Sequence, residues 1–178
     1  IELTQVYDQT VYIWDAIWLV FGNLAGGGVL AVIVLWLFLR SFSATGIVAV
    51  SIPITVIGTF LMIAMLGRTL NVIMLAGIAF AVGNSVDNFI VVLENVYRHR
   101  GMGKSRKQAA LDGAAEVWGA VFASTMTTLA VFLPVVFIQE EAGKLFKDIA
   151  IASVAAAALS FVVAFLVIPP LTSRFFSG

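Results

Sequence analysis

Apolar residues fall along the chain in long blocks separated by short polar links. A membrane-spanning helix needs about 20 consecutive, mostly apolar residues. Five blocks meet that length: residues 20–39, 45–66, 70–96, 117–138 and 149–168, the last stopped by Pro169 and Pro170. Ahead of them, VYDQTVYIWDAIW interleaves polar positions with Tyr7, Tyr12, Trp14 and Trp18. Amphipathic rings favour the headgroup zone. Residues 1–19 are therefore expected to form an interfacial segment, with a helix over 7–19 leading into the first span. The predicted fold is all-α: one polytopic membrane helical bundle over residues 1–178, with five transmembrane helices plus an N-terminal interfacial helix.

The links differ in character. A short one lies at Ser41 to Ala44. GRTL joins the second and third spans, and its Gly67 suits a helix C-terminus. YRHRGMGKSRKQAALDGAAE is polar and basic, and predicts helix from Lys104 to Val117. QEEAGKLFKD predicts an interfacial turn or short helix. With five spans, Arg68, Lys144 and Lys147 lie on one side. Arg40, Arg98, Arg100, Lys104, Arg106, Lys107 and Arg174 lie on the other. Seven basic residues against three place the second side in the cytoplasm. The N-terminus is then periplasmic and the C-terminus cytoplasmic. An outside N-terminus with no basic-led leader and no initiating Met predicts further sequence upstream.

Composition supports the membrane assignment. The chain is 61% hydrophobic and 11% charged, whereas a soluble domain is about half apolar and about a quarter charged. A net charge of zero gives no reason to expect a nucleic-acid partner; membrane lipid is the expected surrounding. One histidine, His99, and no cysteine exclude disulfides, iron–sulfur clusters and the usual zinc sites. No cofactor or metal is expected.

One stretch breaks the apolar pattern. In GNSVDNFIVVLENV, residues 83–96, Asn84, Ser85, Asp87 and Asn88 interrupt the third span. Asp87 lies about 25 Å from the outer end of that span and about 13 Å from its inner end at 1.5 Å per residue. A carboxylate at a span's centre costs about 2.5–3.5 kcal/mol on insertion scales. Burial disfavours the ionised form of a carboxyl group, so an acid held out of bulk water inside a bundle is a natural proton carrier. Asn84, Asp87 and Asn88 are spaced three and four apart and are expected to share one helix face, with Ser85 and Phe89 pointing elsewhere. Ser124, Thr125, Thr127 and Thr128 of the fourth span offer hydroxyls across from them. The plainer alternative is that the cluster only holds helices together.

Other features point to structure. GMGKS at 101–105 lacks the first glycine of a phosphate loop and follows a membrane helix rather than a strand, so nucleotide binding is rejected. Gly22 and Gly26 form a GxxxG that predicts close helix approach. Pro53 and Pro134 predict kinks. Lys104, Arg106 and Lys107 serve topology, with lipid headgroup contact as the weaker alternative. Glu94 is expected to be solvated or paired with Arg98.

The run GRTLNVIMLAGIAFAVGNSVDNFIVVLENVYRH resembles the fourth transmembrane helix of the resistance–nodulation–division (RND) superfamily of proton-driven efflux pumps. There the pattern is glycine, two apolar residues, Val-Asp-Asp or Val-Asp-Asn, and an apolar run ending in Glu-Asn. LFLRSFSATGIVAVSIPITVIGTF resembles the passage from helix 2 to helix 3. VWGAVFASTMTTLAVFLPVVFI with EEAGKLFKDIAIA resembles helices 5 and 6. The resemblance implies helices 2 to 6 of the first half of a bacterial inner-membrane secondary transporter, not an enzyme. In such pumps protons drive the export of drugs or amphiphiles. It implies a proton relay through Asp87, with Asn88 at the second acidic position, where it cannot titrate. Asn84, Ser124, Thr127 and Thr128 form a weaker supporting polar shell. The implied partners are protons, the remaining half and porter regions of an RND permease, and a homotrimer with a periplasmic adaptor and an outer-membrane channel. Asn84 and Ser85 stand where the family has apolar residues and Phe89 where a small one is common, so a wetter, more crowded site is expected. Two alternatives stay open: a non-transporting truncated paralogue or scaffold subunit, and a relative that handles lipid or protein export.

Overall fold

A computed structural model describes residues 9–69, 71–138 and 141–175. These form six α-helices: α1 (Gln9–Leu39), α2 (Phe42–Met65), α3 (Val72–Gly101), α4 (Arg106–Val136), α5 (Glu141–Leu166) and α6 (Ile168–Phe175). Among the described residues there is no strand. Phe42–Met65, Val72–Gly101, Arg106–Val136 and the run Phe146–Phe175 are long and apolar enough to cross a membrane. The fifth expected span lies in α1, where Ala25–Leu37 forms a shorter apolar stretch.

Local chemistry sets the helix ends. Ser41, Asn71 and Ser105 cap α2, α3 and α4, and the Asn71 side chain accepts from the Met74 N–H at 2.7 Å. Gly67 (φ 66°) and Gly103 (φ 84°) adopt the left-handed conformation that ends helices. The Gly67 and Arg68 amides return to the Ala64 and Ile63 carbonyls at 3.0 and 3.2 Å, closing α2. GMGKS is thus a stop and a start, with Gly103 ending α3 and Ser105 opening α4.

Several boundaries differ from the sequence pattern. Residues 9–39 form one helix, so no separate interfacial helix precedes the first span; residues 1–8 lie outside the described residues. The helix expected over Lys104–Val117 is present from Arg106 but runs unbroken into the fourth span, as does the helix from Glu141 into the fifth, because a helix can project beyond the apolar layer without losing its hydrogen bonds. Arg106–Glu116 extends α4 in this way, and Glu141–Asp148 extends α5; residues 139–140 are not described. Pro169 and Pro170 do not end the helical path. They occupy the first turn of α6, where a missing N–H removes nothing, and the Leu171 amide bonds to the Val167 carbonyl at 3.1 Å.

The core lies between α3 and α5, with α2 and α4 also packed on α5, α1 against α2 and α3, and α6 against α2, α3, α4 and α5. Phe89, Val92, Leu93 and Val96 of α3 share a buried cluster with Val163 and Ala164 of α5, while Ala152 of α5 packs with Met74, Ile78 and Val82. Small residues let the backbones approach. A Cβ on Gly77 would lie 3.0 Å from the Ile149 backbone, and one on Gly113 only 2.7 Å from Val96 Cα. Among the described residues the expected GxxxG contact is not made: a Cβ on Gly22 or Gly26 meets nothing within 4 Å. Glycine spacing supplies room, but only tertiary placement supplies a neighbour. The buried face of α2 is a ladder of hydroxyls, Ser51, Thr55 and Thr59, each bonded to the carbonyl four residues back at 2.7–3.0 Å.

Candidate functional site: a carboxylate on the open face of α3

Asp87 lies fifteen residues beyond Val72 and fourteen before Gly101, about 21–22 Å from either end of α3. Its side chain is exposed. It makes no hydrogen bond or ion pair among the described residues. Phe80, Gly83, Val91 and Glu94 are exposed along the same stripe. Within these residues the acid is therefore not withdrawn into a bundle, contrary to the burial expected for a proton carrier.

The three polar residues do not share one environment. Asn84 is half-buried and its Nδ2 donates to Thr128 Oγ1 of α4 at 3.1 Å. Asn88 is buried, and its Nδ2 donates to Ser160 Oγ of α5 at 3.4 Å. At about 100° per residue, Asp87 and Asn88 lie about 60° and 40° to opposite sides of Asn84. That rotation is enough to send one outward and the other into the core. Ser85 is buried and bonds to the Ala81 carbonyl at 2.8 Å. Phe89 is fully buried in the core. Both are buried away from the exposed Asp87, so Phe89 does not crowd it and Ser85 adds no polarity beside it.

Of the expected hydroxyl shell, only Thr128 reaches α3. Ser124 and Thr127 are exposed, and Thr127 bonds to its own helix at the Ala123 carbonyl, 2.9 Å. Thr125 is buried and bonds to Val121. Thr127, Thr128, Asn84, Phe80, Val131 and Phe132 line a cavity of about 190 Å³, one turn from Asp87 toward Val72. Ser160 was missed from sequence; its only signal is a polar position within an apolar run. Replacing Asn88 with Leu is expected to destabilise the chain by about 0.6 kcal/mol, a typical intramembrane hydrogen bond, because Ser160 keeps its bond to Ala157. Unfolding in detergent measures it.

A second polar cluster, unforeseen from sequence, lies where α3 meets α4. Asn95 Nδ2 donates to the Gly113 carbonyl at 2.8 Å and to Glu116 at 3.3 Å. Arg98 binds Glu116 and, through Nε, Asn95 Oδ1 at 2.8 Å. His99 contacts Glu116 and Lys104, and Lys104 pairs with Asp112 at 2.7 Å. Glu94 is exposed, and the Arg98 expected to pair with it turns to α4 instead. Glu116 precedes the apolar part of α4. Hydrogen bonds from His99, then Arg98 and Asn95, lower its pKa from 4.5 to about 2.

Long apolar helices around a core of small residues, with large apolar side chains facing outward, define a multi-pass α-helical membrane protein. The chain belongs to the AcrB/AcrD/AcrF family of RND permeases, which it matches over residues 1–178. It is 37% identical over 169 residues to "Multidrug resistance protein MdtC" of Salmonella paratyphi B, covering 95% of this chain and 16% of that protein. The protein of the same name from Proteus mirabilis is 39% identical over 143 residues, 80% of this chain and 14% of that one. That from Pectobacterium atrosepticum is 37% identical over 145 residues, 82% and 14%. The chain thus spans 14–16% of the length of these relatives.

Proposed function

We propose that the chain is the proton-coupling membrane module of an RND-type secondary transporter, with Asp87 as the proton carrier. The observation that carries this reading is the position of Asp87. It lies midway along α3 on a face that no described residue covers, while Asn84 and Asn88 tie the same turn to α4 and α5. Against lipid, an aspartate there would cost about 2.5–3.5 kcal/mol. A helix face of that kind belongs against further helices, and the relatives are long enough to supply them. Asn88 holds no proton; it anchors the turn, so that a change of charge at Asp87 acts on a helix fixed from behind. The relatives named for multidrug resistance suggest drugs or amphiphiles as cargo, in a bacterial inner membrane. The length of the relatives leaves room for porter regions and a second half, and the proposed assembly is a homotrimer that works with a periplasmic adaptor and an outer-membrane channel. The excess of basic residues at the Arg98–Lys107 end supports a cytoplasmic location for that end.

A second reading rests on the Asn84–Thr128 and Asn88–Ser160 bonds, which would suit a segment that only packs or binds a partner. A complete permease carrying this segment separates the two when reconstituted in liposomes. The proposal expects substrate export that follows an imposed pH gradient and stops when the gradient is collapsed. Export indifferent to the gradient, or none, would favour packing.

A further inference from the structure

We infer that His99 is a second proton-binding site, and that a proton taken up there releases Lys104 and loosens the turn between α3 and α4. His99 is 7% exposed, in the last turn of α3. Its Nε2 lies 2.5 Å from Glu116 Oε2 and its Nδ1 2.9 Å from Lys104 Nζ. An ammonium group can only donate, so Nδ1 accepts, and the ring's single hydrogen sits on Nε2, donated to Glu116. Both contacts coexist only in this neutral tautomer. A protonated ring would aim Nδ1–H at the Lys104 ammonium, losing that bond and setting two like charges together.

Both carboxylates near the ring already have cationic partners while it is neutral. Glu116 and Asp112 face it from α4, and Arg98 from α3. Lys104 faces it from the turn, where Arg100 Nη1 donates to the Lys104 carbonyl at 2.7 Å. Arg174 of α6, which also packs on α3 and α4, is exposed and forms no ion pair among the described residues. Arg98 and Lys104 are paired with Glu116 and Asp112, and Arg100 adds a further positive charge beside Lys104, so a proton on the ring adds to a positive excess. Glu116 is held by three donors and stays. Lys104 sits outside both helices, next to Gly103 in its left-handed conformation, and also pairs with Asp112 at 2.7 Å, so it can leave the ring while keeping that carboxylate. His99 lies twelve residues beyond Asp87, about 18 Å along α3, and the two sites can be tested separately.

His99 is the chain's one histidine, so its imidazole nitrogen signals in an NMR titration of the full chain in detergent need no assignment. The expected result near neutral pH is the Nε2–H tautomer. On acidification the ring is expected to protonate together with a shift of the Gly103 amide at the same midpoint. Lys104→Met should raise that midpoint and Glu116→Gln lower it, each by on the order of one pH unit. An Nδ1–H or mixed tautomer in the unaltered chain would overturn the proposal without recourse to any variant. A silent Gly103 amide, or a midpoint indifferent to Lys104→Met, would do the same.

Discussion

Asp87→Asn, in a complete permease carrying this segment, is expected to reduce gradient-driven export to background while leaving the amount of folded protein in the membrane unchanged. The substitution keeps size and hydrogen-bonding shape and removes only the ability to gain and lose a proton. Asp87 is exposed and bonds to nothing among the described residues, so its loss breaks no contact within the chain. Unfolding of the isolated chain in detergent should move by no more than about 0.5 kcal/mol, as for surface positions generally. Asp87→Glu, which retains a carboxyl one methylene further out, should keep part of the export. Native export by the Asn variant would remove Asp87 from the mechanism. A loss of folded protein in step with the loss of export would return it to a packing role.

Gly113→Val is expected to be the most damaging single change to the fold, at about 3 kcal/mol. The first atom of any side chain at 113 would sit 2.7 Å from Val96 Cα and 2.9 Å from Val96 N. Both are backbone atoms, which yield only if the helices separate. Separation would also stretch the bond from Asn95 to the Gly113 carbonyl and the links through Glu116. Gly119→Val, six residues along the same helix with nothing within 4 Å, should change stability by no more than about 0.5 kcal/mol. Denaturant unfolding of both variants in the same detergent makes the comparison, and equal effects would show that the α3–α4 crossing is not tight.

Much of this was legible in the sequence because the membrane imposes a one-dimensional rule. A helix must satisfy its own backbone and present about 20 apolar residues, and such runs are visible without knowing what they touch. Gly67 was readable for a similar reason: a left-handed helix stop is a property of one residue and its neighbours. The motif around Asp87 carried the family likeness on consecutive residues. Less was legible where a choice depends on what stands opposite. Gly22 and Gly26 have a recognised spacing and no neighbour within 4 Å among the described residues, whereas Gly77 and Gly113 have no such motif and sit close against the backbone of another helix. Glu94 has the better spacing for Arg98, yet Glu116 takes it from another helix.

By itself the sequence determined an all-helical membrane chain, the approximate blocks that cross, the lone mid-span acid and the family signature. These follow from hydropathy and local motif, which are properties of consecutive residues. The tertiary structure alone decided that Asp87 turns outward while Asn88, one residue on, is buried against Ser160. It also decided that His99 is enclosed between Glu116 and Lys104. A helix sets side chains about 100° apart, but which of those directions becomes core depends on where the other helices pack.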